Sequence, residues 1–401
     1  MLKEPLKSGD SLLQNSENPR ITYARNHRAL YKGDFHQLGI ARDPKDIGGI
    51  RVNLFRTVAD FYADFVWAKR PIIVDQPDLT PLISRVAPMF QNMNVDMQRY
   101  GTGILSSDPH NPLTIRRWEL DQHYMSEDGT HQFIVNRRLL EANQPYLKYE
   151  VDKSLIDLFT FKPDGTVTLQ VCEGGNSEQI GTVKTTTDLP SRSPSNQVIL
   201  AYPNIDKTSI FDDMTSHVAE ISRTLARLST TLDKNLDPHM YGPDGLLTVD
   251  EMGRAIVDKK GMYFPIQPGD EPPGVIQWES MPEAVEFTIK QHENFAYETA
   301  SLSRMLFDPE GSNVGSLSGQ ALRRLLIPFY TKILRLSEVN RVALAETFQM
   351  LTANGAMVGQ PVPDLAFADI DIEWGYTGFF VDLEEVDSET GELPSGRSTA
   401  S

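Results

Sequence analysis

Residues 211–236, FDDMTSHVAEISRTLARLSTTLDKNL, place Met214, Val218, Ile221, Leu225, Leu228 and Leu232 at steps of 4, 3, 4, 3 and 4. A seam that narrow suits a helix packed against one neighbouring helix, not one sunk in a broad core. Asp212 and Asp213 fit its N-terminal end, where the helix dipole favours negative charge. The partner it requires is found further on. A second long helical pattern runs over 282–307, with Pro282 in its first turn. DPHMYGPDG breaks the first helix, and 237–280 is a Pro- and Gly-rich insert with short strand patterns GLLTV, KKGMYFPI and VIQWES. Two long helices bracketing a β insert imply a stalk with a tip.

The first half of the chain has a different character. Helical spacing appears at 21–35, which Gly33 stops, and more strongly at 52–71. There Phe55, Val58, Phe61, Tyr62, Phe65 and Val66 form a wide apolar stripe, closed by Lys69, Arg70 and Pro71. DLTPLISRVAPMFQNMNVDMQRYG reads as a further helix. From about 103 to 203 short alternating segments follow (GILSS, LTIRRWEL, HQFIVNRRL, LIDLFTF, TVTLQVCE, IGTVKTT, QVILAY), separated by turns such as EDGT and KPDGT. DLAFADIDIEWGYTGFF near the end gives one more strand before a polar tail. The fold class is α+β, with no internal repeat.

Charge narrows the partners. The net charge of −17 is uneven: Asp364–Ser401 holds ten acidic residues against Arg397 alone. An acidic surface favours solubility and protein or small-molecule partners over direct nucleic-acid grip. The single cysteine, Cys172, excludes an internal disulfide framework, fits a reducing compartment, and reads as a buried structural thiol in a strand. No signal-peptide core and no run of about eighteen apolar residues occurs, so a soluble intracellular protein without membrane contact is expected.

No catalytic or metal motif in the sequence is complete. DPEGSNVGSLSG (308–319) has recurrent glycines before a helix, but lacks the Lys of a phosphate loop and follows a helix instead of a strand. GSLSG has Leu317 where a nucleophile elbow needs Ser. His292-Glu293 is not completed to a zinc motif, because position 296 is Ala, and the remaining histidines form no ligand spacing. Asp369, Asp371 and Glu373 share one strand face, which reads as solvated, with a cation site as the alternative. No catalytic residues, metal or cofactor are expected.

The segment after the glycine loop is mechanical in character. Pro328 interrupts a helix of about thirty-five residues (318–353), removing one hydrogen bond at a cost of roughly 3 kcal/mol, so a kink is expected. Leu322, Leu325, Phe329, Ile333 and Leu336 are expected to face the core. Arg323, Arg324, Lys332, Arg335 and Arg341 make it basic: either a solvated face or a neighbour for phosphates.

The order of these parts resembles the portal proteins of tailed bacteriophages. The likeness is spread over YKGD (31–34), RVNLFRTVADFYADFVWAKRPIIV (51–74), RYGTGILSS (99–107) with TIRRWELDQHYM, SIFDDMTSHVAEISRTLARLSTTLDKN, LSGQALRRLLIPFYTKI and DIDIEWGYTGFFVDLEEV. LSGQALRR is its most specific piece. The resemblance implies an elongated subunit: flexible N-terminus 1–20, first part of an α/β wing 21–210, stem helix 211–236, small β-containing clip 237–280, second stem helix 281–307, tunnel loop 308–317, kinked tunnel helix 318–353, returning wing strand 354–386 and an acidic, polar tail 387–401 with the crown absent or minimal. It further implies that Glu310, Gly311, Ser312, Asn313, Val314, Gly315 and Ser316 face DNA. Arg323, Arg324 and Lys332 are then the tunnel-helix cations and Pro328 the kink. Lys259, Lys260, Tyr263 and Trp278 contact terminase or adaptor in the clip.

Such subunits form a ring, commonly of twelve, at one capsid vertex. Double-stranded DNA is packaged through it by a terminase and leaves through it. The implied partners are the terminase large subunit, the major capsid protein and head-completion or tail adaptors, and the implied location is the virion after assembly in host cytoplasm. Two other readings stand beside this one: another virion structural or adaptor protein, and a hydrolase whose site is built from scattered residues.

Overall fold

The structure, a computed structural model, describes residues 19–35, 52–67, 71–73, 80–125, 130–139, 154–174, 180–194, 197–236, 240–243, 263–266, 282–307, 319–359 and 372–376. It is a mixed α+β fold, 56% helical and 21% strand over its well-placed residues, so helices dominate despite the strand-rich middle. The chain divides into two compact units: residues 1–32, 53–214 and 297–401 form one, and 33–52 with 215–296 form the other.

The first unit contains helices α1 (Pro19–Tyr31), α2 (Leu54–Trp67) and α3 (Thr80–Tyr100), and strands β1 (Ile72–Ile73), β2 (Gly103–Ser107), β3 (Ile115–Trp118), β4 (His123–Met125), β5 (Gln132–Leu139), β6 (Ser154–Phe161), β7 (Val167–Gly174), β8 (Ile180–Asp188) and β9 (Val198–Ala201). The sheets follow from short antiparallel connections: a five-stranded meander β4-β5-β6-β7-β8 and a three-stranded sheet β3-β2-β9. Alternation sends successive residues of the meander to opposite faces. Phe133, Val135, Ile156, Leu158 and Cys172 make one apolar cluster. Ile134, Phe159, Phe161 and Val167 join Ala24, Tyr100, Ile104 and Trp118 in another. Cys172 is thus a fully buried core thiol, with burial pushing its pKa up.

Glycine is required where α3 turns into β2. Gly101 has φ +74° and donates to the Met97 carbonyl at 2.9 Å, ending α3 in the left-handed cap. A Cβ there would lie 2.3 Å from the Lys207 carbonyl oxygen. Beside it, Arg28, Arg99 and Arg117 interlock with Asp96, Glu119 and Asp121 and tie α1 to α3 and β3.

The C-terminal part of the chain completes this unit. Helix α6 (Gly319–Val358) lays Phe329 among Phe61, Tyr62 and Phe65 of α2, at ring separations of 5.6, 6.0 and 4.9 Å. Strand β12 (Ile372–Glu373) pairs antiparallel with β1, in the register Ile72↔Glu373. Trp374 sits edge-on against Trp67. A polar clasp joins α3 to α6. Asn94 and Asn340 exchange side-chain hydrogen bonds at 2.7 and 2.9 Å, and the Trp67 indole donates to the Asn340 oxygen at 3.3 Å. Each amide also donates to a carbonyl four residues back in its own helix, Phe90 and Leu336.

Arg192 is a second buried polar anchor, fully shielded from solvent. It donates to Ser107 Oγ and to the carbonyls of Asp108, Pro109 and Pro190. Burial pushes its pKa down to about 10, against the opposing charge of Asp108.

The second unit contains most of α4 (Ile210–Leu236), a parallel pair β10 (Met240–Pro243) and β11 (Tyr263–Ile266), and most of α5 (Pro282–Thr299). The helix expected over 281–307 is shorter: it ends at Thr299. Ser301 takes φ 60°, its N–H donates to the Glu298 carbonyl, and Leu302 N–H donates to Tyr297, both at 2.8 Å. That is a Schellman cap with Ser in the position glycine usually holds. A 3-10 turn at Arg304–Leu306 follows. No helix among the described residues is long and apolar enough to cross a membrane.

Candidate functional site

Helix α6 carries the residues on which most of the functional expectation rests. It begins at Gly319 and runs unbroken through Pro328, whose missing N–H leaves the Arg324 carbonyl without its usual partner. The helix survives because its buried face is long: Leu326, Phe329, Ile333, Leu336, Leu344, Phe348 and Leu351 are all buried. Leu325, expected in the core, is instead 44% exposed, and Leu326 takes the inward position. A one-residue step on a helix turns a side chain by about 100°, which is enough to exchange the two faces. The side chains of Leu322 and Arg323 lie outside the described residues.

The opposite face combines apolar and basic groups. Ile327, Leu334 and Val342 are exposed together with Arg324 and Arg335. Arg341 is held by Glu338 through two hydrogen bonds of 2.9 and 2.6 Å, so it is not a free cation.

Lys332 is set apart. It is half-buried, its ammonium lies 4.6 Å from the centre of the Tyr62 ring, and its Nζ is 3.5 Å from the Ala300 carbonyl. It lines a cleft of about 410 Å³ with Pro328, Thr331 and Arg335 of α6, Ser209 and Asp213 at the start of α4, and Ser301 of the Schellman cap. Burial pushes the Lys332 pKa down to about 7; Asp213 opposes that and Arg335 adds to it. An amine in that range exchanges its proton near neutrality, as functional lysines do.

The narrow apolar seam of α4 is graded. Met214, Val218 and Ile221 are buried, Leu225 and Leu228 only half-buried, and Leu232's side chain lies outside the described residues. Glu310–Ser316, expected from the resemblance to face DNA, lie outside them entirely, as do Lys259, Lys260 and Trp278. Tyr263 is placed by its backbone on β11, opposite Met240. Of the acidic trio, Asp369 and Asp371 lie outside the described residues and Glu373 is exposed on β12.

One juxtaposition escaped the spacing of the sequence. His217 of α4 and His292 of α5, seventy-five residues apart, bring their Nδ1 atoms to 3.3 Å. Only a three-dimensional pairing of the two helices reveals it. Compared with models of known protein families and with curated protein sequences, the chain matches none.

Proposed function

We propose that this chain is a ring-forming portal subunit: a conduit for double-stranded DNA at one capsid vertex, used with a terminase in packaging and again in ejection, and a platform for adaptors and tail. The observation that carries the reading is the division of the chain. Residues 215–296, two helices with a small β pair between them, belong with 33–52 to one compact unit and interrupt segments 53–214 and 297–401, which belong to the other. The long, proline-containing α6 directly after the glycine-rich segment, and the return strand β12 on β1, are the order of parts that the resemblance to portals requires.

The surface supports an assembly of copies. Phe287 and Phe295 on α5, and separately Ile327, Leu334 and Val342 on α6, are between 44% and 63% exposed, apolar side chains that contact with a neighbouring copy would remove from water. In a ring, each copy offers one face to its neighbour and a different face to the other neighbour, and a fixed rotation closes the assembly. The acidic balance of the chain suits a passage along which DNA slides without sticking.

Mass and shape test the reading. Light scattering and negative-stain images of the purified protein should give a species of roughly 540 kDa, twelve chains of 45.0 kDa, with an axial hole wide enough for a duplex. An assembly without such a hole favours a different virion component. A persistent monomer with a measurable hydrolytic activity overturns the proposal.

A further inference from the structure

The two histidines that meet between α4 and α5 are placed as metal ligands are. We propose that His217 and His292 bind one borderline divalent ion, of the class of Zn2+, Co2+ or Ni2+, which cross-links the two helices of the second unit. The inference concerns this unit alone and holds whether or not the chain forms rings.

Two imidazole nitrogens bound to one tetrahedral zinc, each at 2.0–2.1 Å, lie about 3.3 to 3.4 Å apart. The Nδ1 atoms of His217 and His292 are 3.3 Å apart, with ring centres at 5.6 Å. The separation matches the bite of two imidazoles on one ion, and it is also within the length of a long hydrogen bond, so the metal-loaded protein decides between the two.

Chemistry and access agree with it. No other hydrogen bond from either ring is present among the described residues, so both lone pairs are free to turn to a common ion. Both rings line a cleft of about 720 Å³, which leaves room for solvent in the remaining coordination positions. Glu220, one turn along α4 from His217, lines the same cleft and offsets the charge of Arg223 beside it at 3.5 Å. Imidazole suits zinc, nickel and copper, whereas calcium and magnesium prefer oxygen. Among the described residues no group of three or more His, Cys, Asp or Glu gathers around one point, so the site is a two-ligand clip and not a closed structural centre.

The test uses untagged full-length protein and Co2+ as probe, because cobalt bound by nitrogen absorbs in the visible. One ion per chain should saturate, and His217→Ala and His292→Ala should each weaken binding about tenfold or more. X-ray absorption of the zinc-loaded wild-type protein, which needs no variant, should count two imidazole nitrogens. Absence of saturation up to about 1 mM Co2+, equal affinity in both variants, or fewer than two imidazoles in the zinc spectrum would overturn the proposal.

Discussion

At the scale of single residues, the buried polar groups carry the sharpest expectations. The Asn94–Asn340 clasp satisfies both amides and the Trp67 indole at once. Asn340→Leu should cost about 1–3 kcal/mol in urea unfolding, since it strands two buried donors, and adding Asn94→Leu should return part of that. Lys332 makes the opposite prediction. Its folded pKa of about 7 lies below the ordinary lysine value, so the unfolded chain binds the extra proton. The penalty is complete below about pH 7 and fades as pH rises towards about 10.4. Lys332→Met should therefore raise the melting temperature at pH 6 and leave it nearly unchanged at pH 10; a lower melting point at pH 6 would refute the assignment. Neither effect is legible in the sequence. Asn340 and Lys332 look like ordinary polar positions of an amphipathic helix, and Arg192 sits in a loop-like SRSPS whose burial no pattern announces.

At the scale of elements, periodicity located the helices and strands well but misjudged ends and faces. The helix over 211–236 is observed as Ile210–Leu236 and the meander strands fall where alternation puts them, because both signals repeat over many residues. The end of α5 is set by a single cap, and a helical pattern runs through Thr299 without registering it. Ser301→Gly should stabilise the protein by about 0.5–1 kcal/mol, as glycine holds the left-handed conformation without strain. The half-buried Leu225 and Leu228 make a second case. On the portal proposal, converting both to Asp should leave circular dichroism largely intact while abolishing the proposed ring species in light scattering. Rings from that variant would remove this seam from the assembly.

At the scale of the whole molecule, mixed α+β architecture was legible, whereas contacts between distant segments were not. His217 with His292, and β1 with β12, are partners separated by too much chain for any local pattern to join. The proposed portal function rests on the order of parts, so its decisive variant is a deletion: on that proposal, removing 311–317 should leave ring formation unchanged and damage DNA packaging or retention in a packaging assay. Loss of folding would make that segment structural instead.

The aromatic nest around Phe329 bears on how this protein is made. Phe61, Tyr62 and Phe65 leave the ribosome more than two hundred and fifty residues ahead of the ring that covers them. At the usual speed of synthesis that is an interval on the order of tens of seconds, during which the nascent chain carries a bare aromatic face. Residues 33–52 and 215–296, the two segments of the second compact unit, are both synthesised before α6 and can gather in that interval. The body cannot, and a chain stalled before α6 is the form in which this protein should most need a chaperone.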